Sequence, residues 1–253
     1  MRYMVYDIET IPNPEVPWEP PKDKPDAFPP IMCHKVVSIG QMLLDTSGEI
    51  LMFENASQYN PIESHIVSAF LTDVIGGVSN RNFTLVGYNS RNFDWPVMIA
   101  RAMRYGFPIR ASFAKNFRYR FSNEGHYDLA DDMSDYGASP KSSLLNACLN
   151  IGLPGKVGVD GGDVKKLYAD GQLSKLDDYC LADVLQTGIL LARWLYIKGE
   201  LTGEVYDNLV NNAFCAAQRK GANSIVAKVV EKSNMNILFR PISTIDTTEE
   251  LAY

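Results

Sequence analysis

The order of local patterns along this chain constrains its fold more than any single residue does. RYMVYDI (residues 2–8) alternates, is rich in β-formers and reads as a strand. KVVSIGQMLL and EILMFEN follow as a strand pair around the turn DTSG. IESHIVSAFLTDVIGGV carries apolar residues at helical spacing and predicts a helix that stops at Gly76 and Gly77, a C-cap signal. TLVGYNS is a strand running into a turn. FDWPVMIARAMRYG is a helix, with Pro96 tolerable because it sits in the first turn. RYRFSNEGHYDLA is expected to be strand material leading into short helices up to Leu149, and GLPGKVGVDGGDV a loop. KLDDYCLADVLQTGILLARWLYIKG is a long amphipathic helix, and residues 201–234 are helical again. This succession predicts a mixed α/β domain built on a central sheet with helices on it.

With 253 residues, 46% of them hydrophobic, the chain can bury one sizeable core. The expected division is a domain over 1–200 and a helical extension with an acidic tail over 201–253, packed on the same domain. No stretch approaches the run of about 18 apolar residues that a membrane helix needs, so no membrane partner is expected. MRYMVYDIET has neither a basic leader nor a cleavage site and does not read as a signal peptide. Cys33, Cys148, Cys180 and Cys215 form no CxxC and read as reduced thiols, which predicts a cytoplasmic location, the host cytoplasm if a phage encodes the chain. His34, His65 and His126 are too dispersed for a zinc site.

Residues 12–35 hold eight of the fourteen prolines and predict a long loop. The net charge of −6 argues mildly against a polyanion as ligand. One stretch is the exception. From Trp95 to Asn123 there is no acid, and Arg101, Arg104, Arg110, Lys115, Arg118 and Arg120 alternate with Tyr105, Phe107, Phe113, Phe117, Tyr119 and Phe121. Arginines on phosphates and aromatic rings on bases are how single strands are held without reading sequence, although the rings could equally be core.

The acids carry the chemistry. Asp7 and Glu9, two apart on a strand, point to one face, where two like charges repel unless cations lie between them. Asp94 opens a helix, comfortable with the helix dipole. Asp183 lies in the long helix with Tyr179 one turn earlier on the same face. Taken alone, Asp94 is also an ordinary helix N-terminal acid, and Tyr179, beside Leu176 and Leu181, an ordinary core tyrosine. Asp128, Asp131, Asp132, Asp177 and Asp178 read as caps or solvated faces.

DIET, then NSRNFD (Asn89 to Asp94), then YCLAD (Tyr179 to Asp183) resemble, in order, the three exonuclease motifs of the DnaQ-like DEDD superfamily. The tyrosine in place of histidine is that of the DEDDy branch, which includes the proofreading domains of family B DNA polymerases and RNase D-type nucleases. HYDL (126–129), the GLPGK…DG stretch (152–161) and YCLADVLQT (179–187) bring the chain closer to stand-alone predicted 3′→5′ exonucleases related to those proofreading domains, over roughly residues 2–198. Each motif is weak by itself; three in order are strong together.

The resemblance implies an RNase H-like fold and phosphodiester hydrolysis with two divalent metal ions about 3.5–4 Å apart. An all-oxygen cluster without His or Cys suits Mg²⁺ or Mn²⁺. Asp7 would bridge, Glu9 and Asp183 would complete one metal site, Asp94 would hold the other, and Tyr179 would orient the attacking water. Single-stranded DNA, or the frayed 3′ end of a duplex, would lose nucleoside 5′-monophosphates, in repair or in proofreading with a DNA polymerase as partner. Trimming of RNA 3′ ends, as by RNase D, is the alternative, although only about fifty residues follow the motif helix to hold an RNA-binding domain. Thr10 and Ile11 would border the terminal nucleotide, Asn89 and Phe93 would shape the second motif, and Arg101, Arg104, Arg118, Arg120 and Lys156 would hold phosphates.

Overall fold

The computed structural model describes residues 1–25, 27–57, 60–79, 82–113, 115–158 and 161–239. Its centre is a five-stranded mixed sheet, ordered β3-β2-β1-β4-β5. The strands are β1 (Arg2–Pro12), β2 (His34–Asp45), β3 (Ile50–Asn55), β4 (Thr84–Gly87) and β5 (His126–Asp128). β1, β2 and β3 form an antiparallel meander, while β4 and β5 run parallel to β1. The long loop of the sequence reading is here the connection between β1 and β2, so its two ends are register partners (Pro12 with His34).

Alternation along β1 sorts the core into two layers. Met4, Tyr6 and Ile8 face α1 (Glu63–Ser79) and α2 (Asp94–Tyr105), whose Phe70, Trp95 and Met98 are buried with them. Tyr3 and Val5 face the other layer, dominated by α7 (Leu173–Ile197). Asp7 and Glu9 have the parity of Tyr3 and Val5, so the period of two aims both at α7. Short helices α3 (Lys115–Arg118), α4 (Leu129–Met133), α5 (Leu144–Asn150) and α6 (Val164–Ala169) lead to α7. After it, α8 (Gly203–Gln218), α9 (Ile225–Lys232) and α10 (Met235–Leu238) bury Leu209, Val210, Phe214, Val226, Val229 and Leu238 in the α7 layer.

Four expectations need correction. α1 runs through Gly76 and Gly77 to Ser79 instead of stopping at them. Gly77 is there for packing: a Cβ on it would stand 1.9 Å from the Phe83 ring. RYRFSNEGHYDLA holds a strand only over His126–Asp128. Its arginine–aromatic alternation mimics a half-buried strand, but Tyr119 and Phe121 are both exposed, so no sheet face recruits them. α7 has the expected length, 25 residues, but is more apolar than expected, sufficient by length and composition to cross a membrane. It is instead a core helix, with 72% of that apolar window buried inside the protein. Finally, Asp131 and Asp177 do not lie on solvated faces; both are buried. The acidic tail at 244–253 lies outside the described residues.

Candidate active site

β4 pairs with β1 only from Tyr3 to Val5, then the chain turns away at Tyr88. The far end of β1 is thereby left open on that side, and it is there that Asp7 and Glu9 sit. The turn from Asn89 to Phe93 returns the chain into α2. Asn89 takes a left-handed backbone (φ 56), which asparagine tolerates better than most residues. Asp128, at the end of β5, holds this turn: its two carboxylate oxygens accept the amides of Asn89 and Arg91, each at 2.9 Å, while it also caps α4. Ser90 Oγ lies 2.9 Å from His126 Nε2. So fixed, the turn delivers Asp94 to β1, where its carboxylate accepts the Ile8 amide.

The third contribution comes from α7. Asp177 is buried and accepts hydrogen bonds from Ser38 (2.5 Å) and Ser57 (2.8 Å), which tie the helix to β2. Ser38 is the register partner of Glu9, and Gly40 that of Asp7. A Cβ at Gly40 would lie 2.9 Å from Val184 Cγ2 and 3.2 Å from Cys180 Sγ, so glycine lets α7 approach the sheet at the level of the acids. Tyr179, Cys180 and Asp183 then meet Asp7 and Glu9. Ligand atoms of Asp7, Glu9 and Cys180 all lie within 4.8 Å of one another.

The four acids bear on one another. Burial, and then the charges of Asp94, Glu9 and Asp183, push the Asp7 carboxyl well above the usual range. Glu9 is pushed up by burial, then by Asp183 and Asp94. Burial raises Asp94 to about 7 against the pull of two backbone amides. It also raises Asp183 to about 7, opposed by hydrogen bonding from Tyr179 and by the charge of Lys156. The Tyr179 phenol is raised by burial and then by Asp183, Glu9 and Asp7, so it stays protonated. The Cys180 thiol is raised likewise; it accepts the Gly40 amide (3.1 Å) and donates to the Asp7 carbonyl (3.4 Å). Four carboxylates with one lysine nearby suit divalent cations, and the oxygen donors suit hard ones.

The other predicted contacts divide. Thr10 is half-buried with its hydroxyl 2.9 Å from His34 Nδ1. His34 Nε2 lies 3.0 Å from the Pro29 carbonyl, which can only accept, so Nε2 carries the proton and Thr10 donates to Nδ1. Phe93 packs edge-on against His34 (4.9 Å between centroids) and Phe28 (5.3 Å), joining the proline loop to the second motif. Lys156 is exposed and acts on Asp183, and Asn89 accepts a hydrogen bond from Lys141 at 2.9 Å. Ile11, expected beside the nucleotide, is instead buried in the α7 layer.

Arg101 is a clearer correction. It is buried with both guanidinium bonds on Glu63 at 2.6 Å, and Glu63 also accepts the Val36 amide and the Tyr105 hydroxyl. It belongs to the core and reaches no strand. Arg104 pairs with Glu15 of the proline loop, and Arg120 forks onto Asp131. Arg118 is exposed and stacks on Phe113 at 5.1 Å; the side chain of Lys115 lies outside the described residues. Sequence reasoning missed Gly40, Asp177 and Cys180. The only available signal was the proximity of the last two to Tyr179.

The mixed five-stranded sheet with flanking helices is the α/β architecture of RNase H-like exonucleases. The chain belongs to the family described as predicted 3′-5′ exonucleases related to the exonuclease domain of PolB, whose model matches residues 26–225. That match includes the second and third motifs and runs past the expected limit near 198, but it begins after Glu9, so Asp7 and Glu9 rest on the geometry above. Among solved structures, the family B DNA polymerase of the hyperthermophilic archaeon Pyrobaculum calidifontis is similar at a TM-score of 0.50 and 17% identity, over 87% of this chain and 29% of that one. E. coli exonuclease I in complex with a dA16 oligonucleotide aligns at a TM-score of 0.40 and 14% identity, over 83% of this chain and 43% of that one. The chain thus spans less than half the length of either. Among curated protein sequences none matches.

Proposed function

We propose that this 3′→5′ exonuclease acts on single-stranded DNA, hydrolysing the 3′-terminal phosphodiester bond and releasing a nucleoside 5′-monophosphate. The observation that carries the reading is the convergence of Asp7, Glu9, Asp94 and Asp183 at one end of β1, each with its carboxyl pushed up by burial. Asp7, on the central strand, together with Glu9, Asp94 and Asp183, would hold two cations. The chemistry supplied there by Mg²⁺ or Mn²⁺ is activation of water near neutral pH and stabilisation of the leaving 3′ oxygen.

The chain's own groups do the rest. Tyr179 keeps its proton, so its hydroxyl orients the water by hydrogen bonding and does not serve as the base. Cys180 remains a neutral thiol that braces Asp7. Thr10, held by His34, would border the terminal nucleotide, Phe93 would shape the second motif beside it, and Lys156 would meet a phosphate near Asp183.

Parallel digestion of matched 5′-labelled DNA and RNA strands with Mg²⁺ or Mn²⁺ tests the substrate. Faster stepwise shortening of DNA is expected; preferential shortening of RNA would assign the chain to RNA 3′-end trimming instead.

A further inference from the structure

A cavity of about 370 Å³ is lined in part by the second-motif turn and α2, and by none of the four acids. Its charged lining is Arg91, Arg118, Arg120, Lys141 and Asp131, with Trp95 and His126 beside them. Four cationic side chains therefore surround one carboxylate. Asp131 takes both Arg120 (2.8 Å) and Lys141 (2.6 Å), so a single negative charge is shared between two cations. Arg91 is held by the carbonyls of Phe117, Ser122 and His126, which orient its guanidinium, and the charges of Asp128 and Asp131 act on it. Arg118 makes no ion pair among the described residues and is exposed. The lining side chains carry four positive charges and one negative, with Asp128 behind them, so the concave space stays positive and low-dielectric walls strengthen the field on an anion.

Two further residues of the wall have unmet polar atoms. Trp95 Nε1 and His126 Nδ1 are buried with no hydrogen-bond partner. An indole N–H can only donate, and buried polar atoms of this kind are rarely left unsatisfied. The rest of the lining is the amide of Asn92 and the apolar Pro96, Ile99 and Phe117, a mixture that suits a ligand carrying a flat ring as well as a charge.

We propose that this cavity is a second, metal-independent site that binds the phosphate of a nucleotide, with Arg118 and Lys141 as the cationic anchors of that phosphate. Phosphate is favoured over a carboxylate ligand because planar guanidinium groups on several sides match its tetrahedral set of oxygens. The choice of a nucleotide as the carrier rests on the exonuclease reading; the anion binding does not. Two sources share this chemistry, a phosphodiester of the strand upstream of the cut and a free mononucleotide. Because Trp95 and Pro96 directly follow Asp94 on α2, a ligand in the cavity would bear on the element that presents that acid.

The test is calorimetric titration of the full chain in EDTA, which removes cation-dependent binding at the acids. The probes are thymidine 5′-monophosphate and a short oligothymidylate; the proteins are the parent, Arg118→Glu, Lys141→Ala and Asp7→Asn, with thermal melts to establish folding. The expected result is binding of at least one probe, weakened about tenfold or more by Arg118→Glu, weakened by Lys141→Ala and unchanged by Asp7→Asn, with a salt dependence about one unit shallower in the charge variants. Binding of the oligonucleotide alone identifies the strand as the source, and binding of both probes a free nucleotide. The proposal is overturned if neither probe binds in EDTA, if folded Arg118→Glu binds like the parent, or if Asp7→Asn weakens binding as much as Arg118→Glu. Absence of cleavage with Mn²⁺ would remove the exonuclease reading and leave these binding outcomes decisive by themselves.

Discussion

The Gly40 amide donates to the Cys180 thiol across 3.1 Å, directly opposite Asp7 in the strand register. This contact sets how closely α7 lies on the sheet, and so how closely Asp183 approaches Asp7. A methyl group on Gly40 would meet Val184 and the Cys180 carbonyl, which is backbone and cannot swing aside. Gly40→Ala should cost about 1–3 kcal/mol, the usual range for overpacking, and lower kcat more than it raises KM. Gly76→Ala is the control: nothing lies within 4 Å of its Cβ, and the helix should gain up to about 1 kcal/mol. Chemical denaturation with steady-state kinetics measures both.

Tyr179 is held protonated by burial and by three carboxylates. Tyr179→Phe should therefore lower kcat by about tenfold to a hundredfold through loss of orientation, with KM nearly unchanged. The alkaline limb of the pH–rate profile should not move between parent and variant. A shift of that limb on substitution would show that the phenol itself titrates in the reaction.

The raised acids make a signed prediction for stability. Asp94 and Asp183 titrate near 7 in the folded chain and near 4 when unfolded, and Asp7 and Glu9 are shifted the same way. Between those values the folded state binds more protons, so stability without cations falls as pH rises from about 4 to 7. His34 and His126, lowered by burial, act oppositely, costing stability as pH falls through about 6.5. The difference between parent and Asp7→Asn isolates the acids. In EDTA the parent should lose Tm relative to Asp7→Asn between pH 5 and pH 8. Mn²⁺ should restore at least about 3 °C to the parent at pH 8 and little at pH 5.

Arg101 and Arg118 lie in the same basic stretch and should behave oppositely. Arg101→Ala leaves Glu63 buried without its ion partner and should cost about 3–5 kcal/mol. Arg118→Ala should be within about 0.5 kcal/mol of the parent in stability. Urea midpoints of the two variants check this directly.

The legible parts of the molecule were those with a period. Alternation in RYMVYDI and the helical spacing of α7 gave the sheet's central strand, its covering helix and the face shared by Asp7 and Glu9. The motif spacings brought Asp94, Tyr179 and Asp183 to the same place. What stayed hidden depends on tertiary partners. Arg101 reads as surface charge until Glu63 arrives from another helix, and Asp177 as a solvated acid until Ser38 and Ser57 enclose it. Ile11 has the parity that buries it, but its strand continues past the acids and resembles a ligand-facing rim. The non-strand course of 118–125 was hidden because alternation records a possible sheet face, not whether a sheet is there to use it.

The central claim is that the acid cluster around Asp7 performs the hydrolysis, and mononucleotide release from a 5′-labelled single strand tests it most directly. With Mn²⁺ the parent should shorten the strand one nucleotide at a time from its 3′ end, and EDTA should stop it. Folded Asp7→Asn should be at least about a hundredfold slower, in line with the loss of a metal-activated nucleophile. Shortening by Asp7→Asn at the parent's rate would contradict the account.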